Sequence, residues 1–290
     1  MSSSDNANQI FLITGCSSGF GAEMARVALQ RGFKVIATAR RVDTMQTLSE
    51  QGATVMALDV TAPPDELATF AKSAWEIHGR VDYLVNNAGY LQSGAIEENS
   101  YADALAQFNT NVFGLVNLTN AFLPYLRARR AGMIVNISSM GGSLTFPGSG
   151  MYCASKAAVD SFSDTWSKEL AEFGVKCISI QPGMFRTAVS TSTNLLRPSQ
   201  RIPGYTLSTQ ITDAYLAASG TERGDPAKAA QRIIDFATQT EPSNLPLRLT
   251  IGEDAFADIH QRYLDRLADM ERHKAWSLGT DFHAYIQSAR

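Results

Sequence analysis

Cysteine is scarce in this 290-residue chain: Cys16, Cys153 and Cys177 are too few and too widely spaced for a disulfide framework or a zinc site. That scarcity suggests a reducing compartment. His78, His260, His273 and His283 show no metal-ligand spacing. No apolar run approaches the roughly 18 residues that a membrane span needs. The polar start M-S-S-S-D-N-A-N-Q has neither the charged beginning nor the apolar centre of a secretory signal. No membrane anchor is expected, and the expected location is cytoplasmic. Charge of one sign is missing too: a net charge of -3 and a pI near 5.8 give no electrostatic reason to expect nucleic acid as a partner. Arg127, Arg129 and Arg130 form a tight basic cluster, which reads as a helix C-terminus ahead of Gly132. No linker-like stretch interrupts the pattern, so residues 1–290 are read as a single domain.

With 44% hydrophobic residues the chain can bury a sizeable core. From Ile10 onward short apolar runs alternate with longer amphipathic ones. The periodicity predicts strands over 10–14, 33–38, 53–58, 81–85, 133–138 and 175–180. It predicts helices over 19–31, 42–51, 64–78, 101–129 and 151–173. Strands without internal alternation, spaced by helices, imply an α/β fold: a doubly wound, Rossmann-type parallel sheet with helices on both faces. Ligands of such sheets bind at the carboxyl ends of the strands, near the switch in strand order.

Several motifs fall at those ends. Thr14 to Gly21 reads T-G-C-S-S-G-F-G between a strand and a helix. Gly15, Gly19 and Gly21 allow a tight turn and close approach to a pyrophosphate, the helix N-terminus favours its charge, and Ser17 and Ser18 add donors. A helix cap with convenient glycines is the plainer alternative. The second strand ends V-I-A-T-A-R-R without the acid that would bond the ribose hydroxyls of NAD. Arg40 and Arg41 stand there instead, and a guanidinium suits a 2'-phosphate, so NADP(H) is preferred over NAD(H). The weaker alternative is that both arginines simply cap the helix over 42–51 in solvent. Tyr152 and Lys156, four residues apart, share one helix face; the ammonium should lower the phenol's pKa and let it exchange a proton near neutral pH. Ser139, ending the apolar run Met133 to Ile137, could hold a substrate oxygen. Taken alone, Y-x-x-x-K would more often be a solvated surface pair.

The turn at Thr14, N-N-A-G from Asn86 to Gly89, N-x-N at Asn109 and Asn111, the Ser139, Tyr152 and Lys156 set, and Pro182-Gly183 occur in that order. Together they resemble the short-chain dehydrogenase/reductase family, continuously from about residue 10 to about residue 190, and more narrowly an NADP(H)-preferring carbonyl reductase or hydroxysteroid-dehydrogenase-like member. The resemblance implies a catalytic set of Asn111, Ser139, Tyr152 and Lys156. In it Lys156 binds the nicotinamide ribose and Asn111 frees a carbonyl to hold a water near Lys156. It implies cofactor contacts from the first turn, Phe20 included, from Asp59 and Val60 beside the adenine, from Asn87, Ala88 and Gly89, and from Pro182, Gly183, Phe185 and Thr187. From the residues alone, Asp59 is also a helix cap, Asn86 to Gly89 only a turn, and Asn111 an interior asparagine bonded to a neighbour. Asn111 also predicts a local irregularity in its helix.

Residues 10–187 form the expected core. Residues 188–224, rich in Ser and Thr with weak periodicity, read as a mobile substrate lid with one or two short helices. Its apolar members Leu195, Leu196, Ile202, Tyr205, Leu207, Ile211, Tyr215 and Leu216 suit an apolar, ring-containing substrate, or packing on the lid itself or a second subunit. Residues 225–290 follow as helix 225–239, a strand L-R-L-T-I, helix 253–274 and a tail whose Trp276, Phe282 and Tyr285 should pack on the body or on a partner. The expectation is therefore an NADP(H)-dependent oxidoreductase interconverting a ketone or aldehyde and an alcohol on an apolar small molecule, assembled as a homodimer or homotetramer. The same motifs would serve reduction of an imine or C=C bond, or a non-catalytic NADP(H) sensor.

Overall fold

The inner strands of the main sheet are short runs of mostly buried residues, because helices cover the sheet on both faces, while the two edge strands are half-buried or more exposed. The computed structural model describes residues 8–191, 193–238 and 245–282. Its strands are β1 (Ile10–Thr14), β2 (Lys34–Ala39), β3 (Thr54–Ala57), β4 (Tyr83–Asn86), β5 (Gly132–Ile137), β6 (Val175–Pro182) and β7 (Arg248–Ile251). They pair in the order β3-β2-β1-β4-β5-β6-β7, all parallel. Helices α1 (Gly19–Gln30) and α8 (Pro226–Ala237) cover one face. There Phe11 and Ile13 pack with Met24, Val27, Ile233 and Ile234. On the other face Ile10 and Leu12 pack with Leu67 of α3 (Pro64–His78), Leu118 and Phe122 of α5 (Leu115–Arg129), and Val159 of α6 (Gly150–Glu169). The doubly wound fold read from the sequence is the fold observed.

The direction of winding reverses between β1 and β4, and one hydroxyl ties these strands together. Thr14 Oγ1 accepts from the backbone N–H groups of Asn87 (2.9 Å) and Ala88 (3.0 Å). Asn87 Nδ2 returns a bond to the Thr14 carbonyl at 2.8 Å. The turn after β1 is thereby fixed against the turn after β4, and the crevice opens between them.

Some element boundaries differ from the sequence reading. The helix expected over 101–129 is two: α4 (Tyr101–Phe108) and α5, joined by a π-helical stretch, Asn109–Gly114. That is the irregularity expected at Asn111. The run over 42–51 is a 3-10 turn followed by α2 (Gln46–Glu50), and the helix expected over 151–173 ends at Glu169 ahead of a separate 3-10 turn. A two-residue parallel ladder pairs Leu91–Gln92 with Leu195–Leu196 and draws segment 188–224, the segment expected to be a lid, onto the body. Beyond it lies α7 (Thr206–Ala217). The lid is fastened by three carboxylates of segment 97–103. Ser199 donates to Asp103 Oδ2 (Oγ, 2.6 Å), the Ile202 N–H to Glu98 Oε1 (3.1 Å), and the Tyr205 hydroxyl to Glu97 Oε2 (2.6 Å).

After β7 come α9 (Glu253–Arg272) and a final turn at Lys274–Ser277. Trp276 and Phe282 are 87% and 83% exposed, so the expected packing on the body does not occur for these two. Tyr285, residue 239 of the expected helix 225–239, and His283 lie outside the described residues. Among the described residues no helix is long and apolar enough to cross a membrane.

Candidate active site

The carboxyl ends of β1, β2, β4, β5 and β6 open into a cavity of about 530 Å³. One half of its lining comes from the turns after β1, β2, β3 and β4. Gly15 there has φ 71°, a region that side chains disfavour, and a methyl on it would stand 2.9 Å from the Ala88 Cα. Only glycine lets the two turns meet. Ser17, Ser18, Phe20, Arg40, Asp59, Val60, Asn87, Ala88 and Gly89 line this half, as read from the sequence. Gly21 lies behind it, packed against the Gly15 carbonyl. Arg41 is not part of the lining; its carbonyl accepts the Thr44 hydroxyl at 2.6 Å and starts the 3-10 turn. Asp59 Oδ1 accepts the Thr61 backbone N–H at 2.9 Å, so it also braces its own turn.

The N-terminal turn of α1 carries no acidic side chain, and Ser18 makes no capping bond there. A helix start of this kind, over a glycine turn, suits an anionic pyrophosphate. The residues present thus fit a dinucleotide: Gly15 to Phe20 would hold its phosphates, Arg40 and Asp59 its adenosine end, and Pro182, Gly183 and Thr187 its other end. Phe185 also lines the cavity, yet its ring is mostly buried against Phe20 at 5.2 Å between centroids.

The other half of the cavity is closed by Ser139, Met140, Phe146, Ser149 and Tyr152 from the body and by Leu195, Leu196 and Tyr215 from the lid. Three of the eight lid residues singled out in the sequence therefore reach the cavity. Tyr90 and Met184 join them without having been signalled, since neither belongs to a periodic run or a motif.

Where the two halves meet, α6 presents Tyr152 and Lys156 one turn apart. Ser139 is within hydrogen-bonding reach of the phenol, and its own Oγ accepts the Gly141 N–H at 3.0 Å. Lys156 Nζ donates to the Ile137 carbonyl at 2.8 Å and lies 5.8 Å from the Tyr152 ring centroid. Asn111, 1% exposed, accepts the Tyr90 N–H at 3.1 Å and donates to the Tyr90 carbonyl and to Ser155 Oγ at 3.0 and 3.1 Å. Its side chain is fully used in joining the π-helical stretch to the turn after β4 and to α6, which is the interior bonding the residue type demands.

The electrostatics correct one expectation. Lys156 does not bring the phenol toward neutrality: burial pushes Tyr152 up to about 12, opposed by the Ser139 hydroxyl. Burial also pushes Lys156 down to about 8, with the Asp160 charge pulling the other way. Desolvation outweighs the attraction between the two groups. At neutral pH the site holds a protonated phenol beside a lysine that is mostly charged. Such a phenol is a proton donor to an oxygen that gains electron density, with Ser139 as a second donor. Among the described residues no group of His, Cys, Asp or Glu side chains could hold a metal ion.

Comparison with known proteins places this geometry in context. Residues 9–197 match the family described as short chain dehydrogenase. Oxidoreductase BOA17 of Botryotinia fuckeliana is 35% identical over 251 residues, covering 85% of this chain and 90% of its own. A short-chain dehydrogenase from Streptomyces avermitilis superposes with a TM-score of 0.83 at 37% identity, covering 94% of this chain and 98% of its own. A short chain dehydrogenase/reductase from Burkholderia phymatum, solved in complex with NAD, superposes with a TM-score of 0.77 at 25% identity over 90% of this chain and 95% of its own.

Proposed function

This chain belongs to the short-chain dehydrogenase family of oxidoreductases, and on that premise we propose that it uses NADP(H) to interconvert a ketone or aldehyde and an alcohol on an apolar, ring-containing small molecule. The observation that carries the reading is the convergence of Ser139, Tyr152 and Lys156 at the junction of the dinucleotide half and the apolar half of one cavity. The cofactor, when bound, supplies or takes up the hydride.

The side chains handle the proton. Tyr152, kept neutral by burial, donates its phenolic proton to the carbonyl oxygen, and Ser139 donates a hydrogen bond to the same oxygen as charge develops. Lys156, mostly protonated at neutral pH, steadies the phenolate that remains and binds the nicotinamide ribose. Asn111 supports the relay that returns a proton to the site. With the phenol raised by burial, the group that acts in reduction is the protonated one. Arg40 at the end of β2, with no acid beside it, supports NADP(H) over NAD(H). Leu195, Leu196, Tyr215, Phe146 and Met140 make the substrate half apolar and aromatic, which supports a ring-containing substrate.

The test is loss of NADPH absorbance, with NADH in parallel, against cyclic, aromatic and aliphatic ketones. Tyr152→Phe serves as the blank. Consumption of NADPH with an apolar ketone, abolished in Tyr152→Phe while NADPH still binds, is the expected result. Activity that survives Tyr152→Phe overturns the mechanism, and faster turnover with NADH overturns the cofactor assignment.

A further inference from the structure

A carboxylate lies behind the candidate site, one helical turn beyond Lys156. Asp160 is fully buried, and Tyr152, Lys156 and Asp160 follow one another at intervals of four residues along one face of α6. A buried acid needs partners, and Asp160 takes them from elements far apart in sequence. Oδ1 accepts Ser179 Oγ at 2.5 Å and Oδ2 accepts Gln181 Nε2 at 2.7 Å, both from β6. Arg248 of β7 approaches Oδ2 at 3.6 Å while its guanidinium is bonded to Asp164 at 2.7 Å.

The same carboxylate abuts the turn that carries Ser139. A methyl group on Gly142 would overlap it, so glycine is required for the turn to sit there. Ser138, next to Ser139, donates its hydroxyl to the Lys156 carbonyl at 3.1 Å and stands beside the Asp160 carboxylate. Gln181 Nε2 also reaches Ser143 Oγ at 2.8 Å, and Ser143 in turn meets the Tyr263 hydroxyl of α9 at 3.3 Å. Both ends of the turn, residues 138 and 143, are thus anchored on the network that Asp160 centres.

We propose that Asp160 is a positioning residue of this site: its buried carboxylate locks the Ser139 turn onto the helix that carries Tyr152 and Lys156. The inference rests on the catalytic reading of Ser139, Tyr152 and Lys156. The groups that face Asp160 are Ser138 from the turn after β5, Ser179 and Gln181 from β6, Arg248 from β7, and Lys156 and Asp164 from its own helix; Tyr263 of α9 reaches the network through Ser143. Burial raises the Asp160 carboxyl, and the bonds from Ser179 and Ser138, the Arg248 charge and the Gln181 bond act against that rise. The Asp160 charge opposes the fall of Lys156.

Two readouts test this. The first uses no turnover: protein carrying lysine labelled with 13C at Cε, with the Lys156 resonance assigned by its loss in Lys156→Met, is titrated by NMR in the wild type and in Asp160→Asn. Asp160→Asn should move the Lys156 midpoint down, because it removes the negative charge that favours the ammonium. The second is kinetic. Asp160→Asn and Gly142→Ala, which leaves the carboxylate in place and pushes the turn away from it, should each lower kcat by roughly ten- to a hundred-fold with little change in NADPH affinity. Ser179→Ala, which removes a bond but no charge, should leave the Lys156 midpoint in place. An unchanged Lys156 midpoint and unchanged kcat in Asp160→Asn, in an enzyme that turns over ketones, overturns this inference and leaves the proposed function standing. A shifted midpoint in a protein that reduces no carbonyl compound does the reverse.

Discussion

Removing the Glu98 carboxylate should unfasten the lid without disturbing the dinucleotide half of the cavity. Glu98 is 1% exposed and accepts two backbone N–H groups, Ala95 at 2.9 Å and Ile202 at 3.1 Å. The Ala95 bond closes the turn that Glu98 itself occupies, so only the Ile202 bond spans from body to lid. A hydrogen bond to a charged acceptor contributes about 1.5–3 kcal/mol. Taking the lower part of that range, about 1.5–2 kcal/mol, Glu98→Ala should raise the open fraction of segment 197–205 by roughly 10- to 30-fold. Hydrogen exchange read by mass spectrometry on peptides covering 197–205 reports that fraction directly. Exchange there should accelerate by that factor, KM for a ketone should rise, and NADPH affinity should stay within about twofold. The latch also carries a pH signature. Burial raises the carboxyls of Glu98 and Asp103, yet the hydrogen bonds they accept, and the Arg201 charge near Glu98, leave both below their ordinary values. Groups depressed in the fold contribute stability that is complete above the unfolded values of about 4.3 and 3.9 and is lost as pH falls through the lower folded ones. Exchange in 197–205 should therefore quicken only below about pH 4. Exchange that is unchanged in Glu98→Ala, while the melting midpoint falls, would refute the reasoning, because the carboxylate would then support its own turn alone.

Two further outcomes follow from the cavity. Arg40→Asp replaces a cation at the end of β2 by an acid, and kcat/KM with NADPH should fall by about 10- to 100-fold relative to NADH, read as the ratio of the two in one assay. Lys156 sets the alkaline limb: with its pKa pushed down to about 8, kcat/KM should decline above that pH, by about tenfold per unit once the lysine is mostly neutral. The linkage has the opposite sign for stability. Between about 8 and 10.5 the unfolded chain binds the proton that folded Lys156 releases, so the melting midpoint of the wild type should gain on that of Lys156→Met as pH rises through this window.

The sheet was legible because each strand is a continuous apolar run and each glycine turn stands at a strand end. Gly15 and Ser139 are expected at strand ends and Tyr152 with Lys156 on one helix face; the order of the motifs and the family resemblance, not spacing alone, bring them together, and all four line one cavity. Asn111 signalled an irregularity, though not its form: the π-helical stretch answers to Tyr90 and Ser155, distant partners that no local pattern reveals. The ladder of Leu91–Gln92 on Leu195–Leu196 is two residues long, too short for any periodicity to show. The pairing of lid donors with Glu97, Glu98 and Asp103 links positions about a hundred residues apart. The phenol's acidity was misjudged for a different reason. A helical spacing shows that Lys156 can approach Tyr152, but not that both are desolvated, and desolvation decides the outcome.

The place of Arg248 gives the parallel sheet a consequence in time. Among the described residues β7 is an edge strand that pairs only with β6, Ser179 with Arg248 through Pro182 with Ile251. Its arginine completes the charge around Asp160 and Asp164 behind the Tyr152 helix. A nascent chain emerging in order builds β1 to β6 and already holds Ser139, Tyr152 and Lys156, but until residue 248 arrives Asp160 lacks its counter-charge and the outer edge of β6 stands unpaired. Every neighbouring pair in this sheet is parallel and joins segments well separated along the chain, so closure is slow by topology. The last strand along the chain is thus also the one that brings the Arg248 charge to the buried carboxylate of the helix that carries Tyr152 and Lys156.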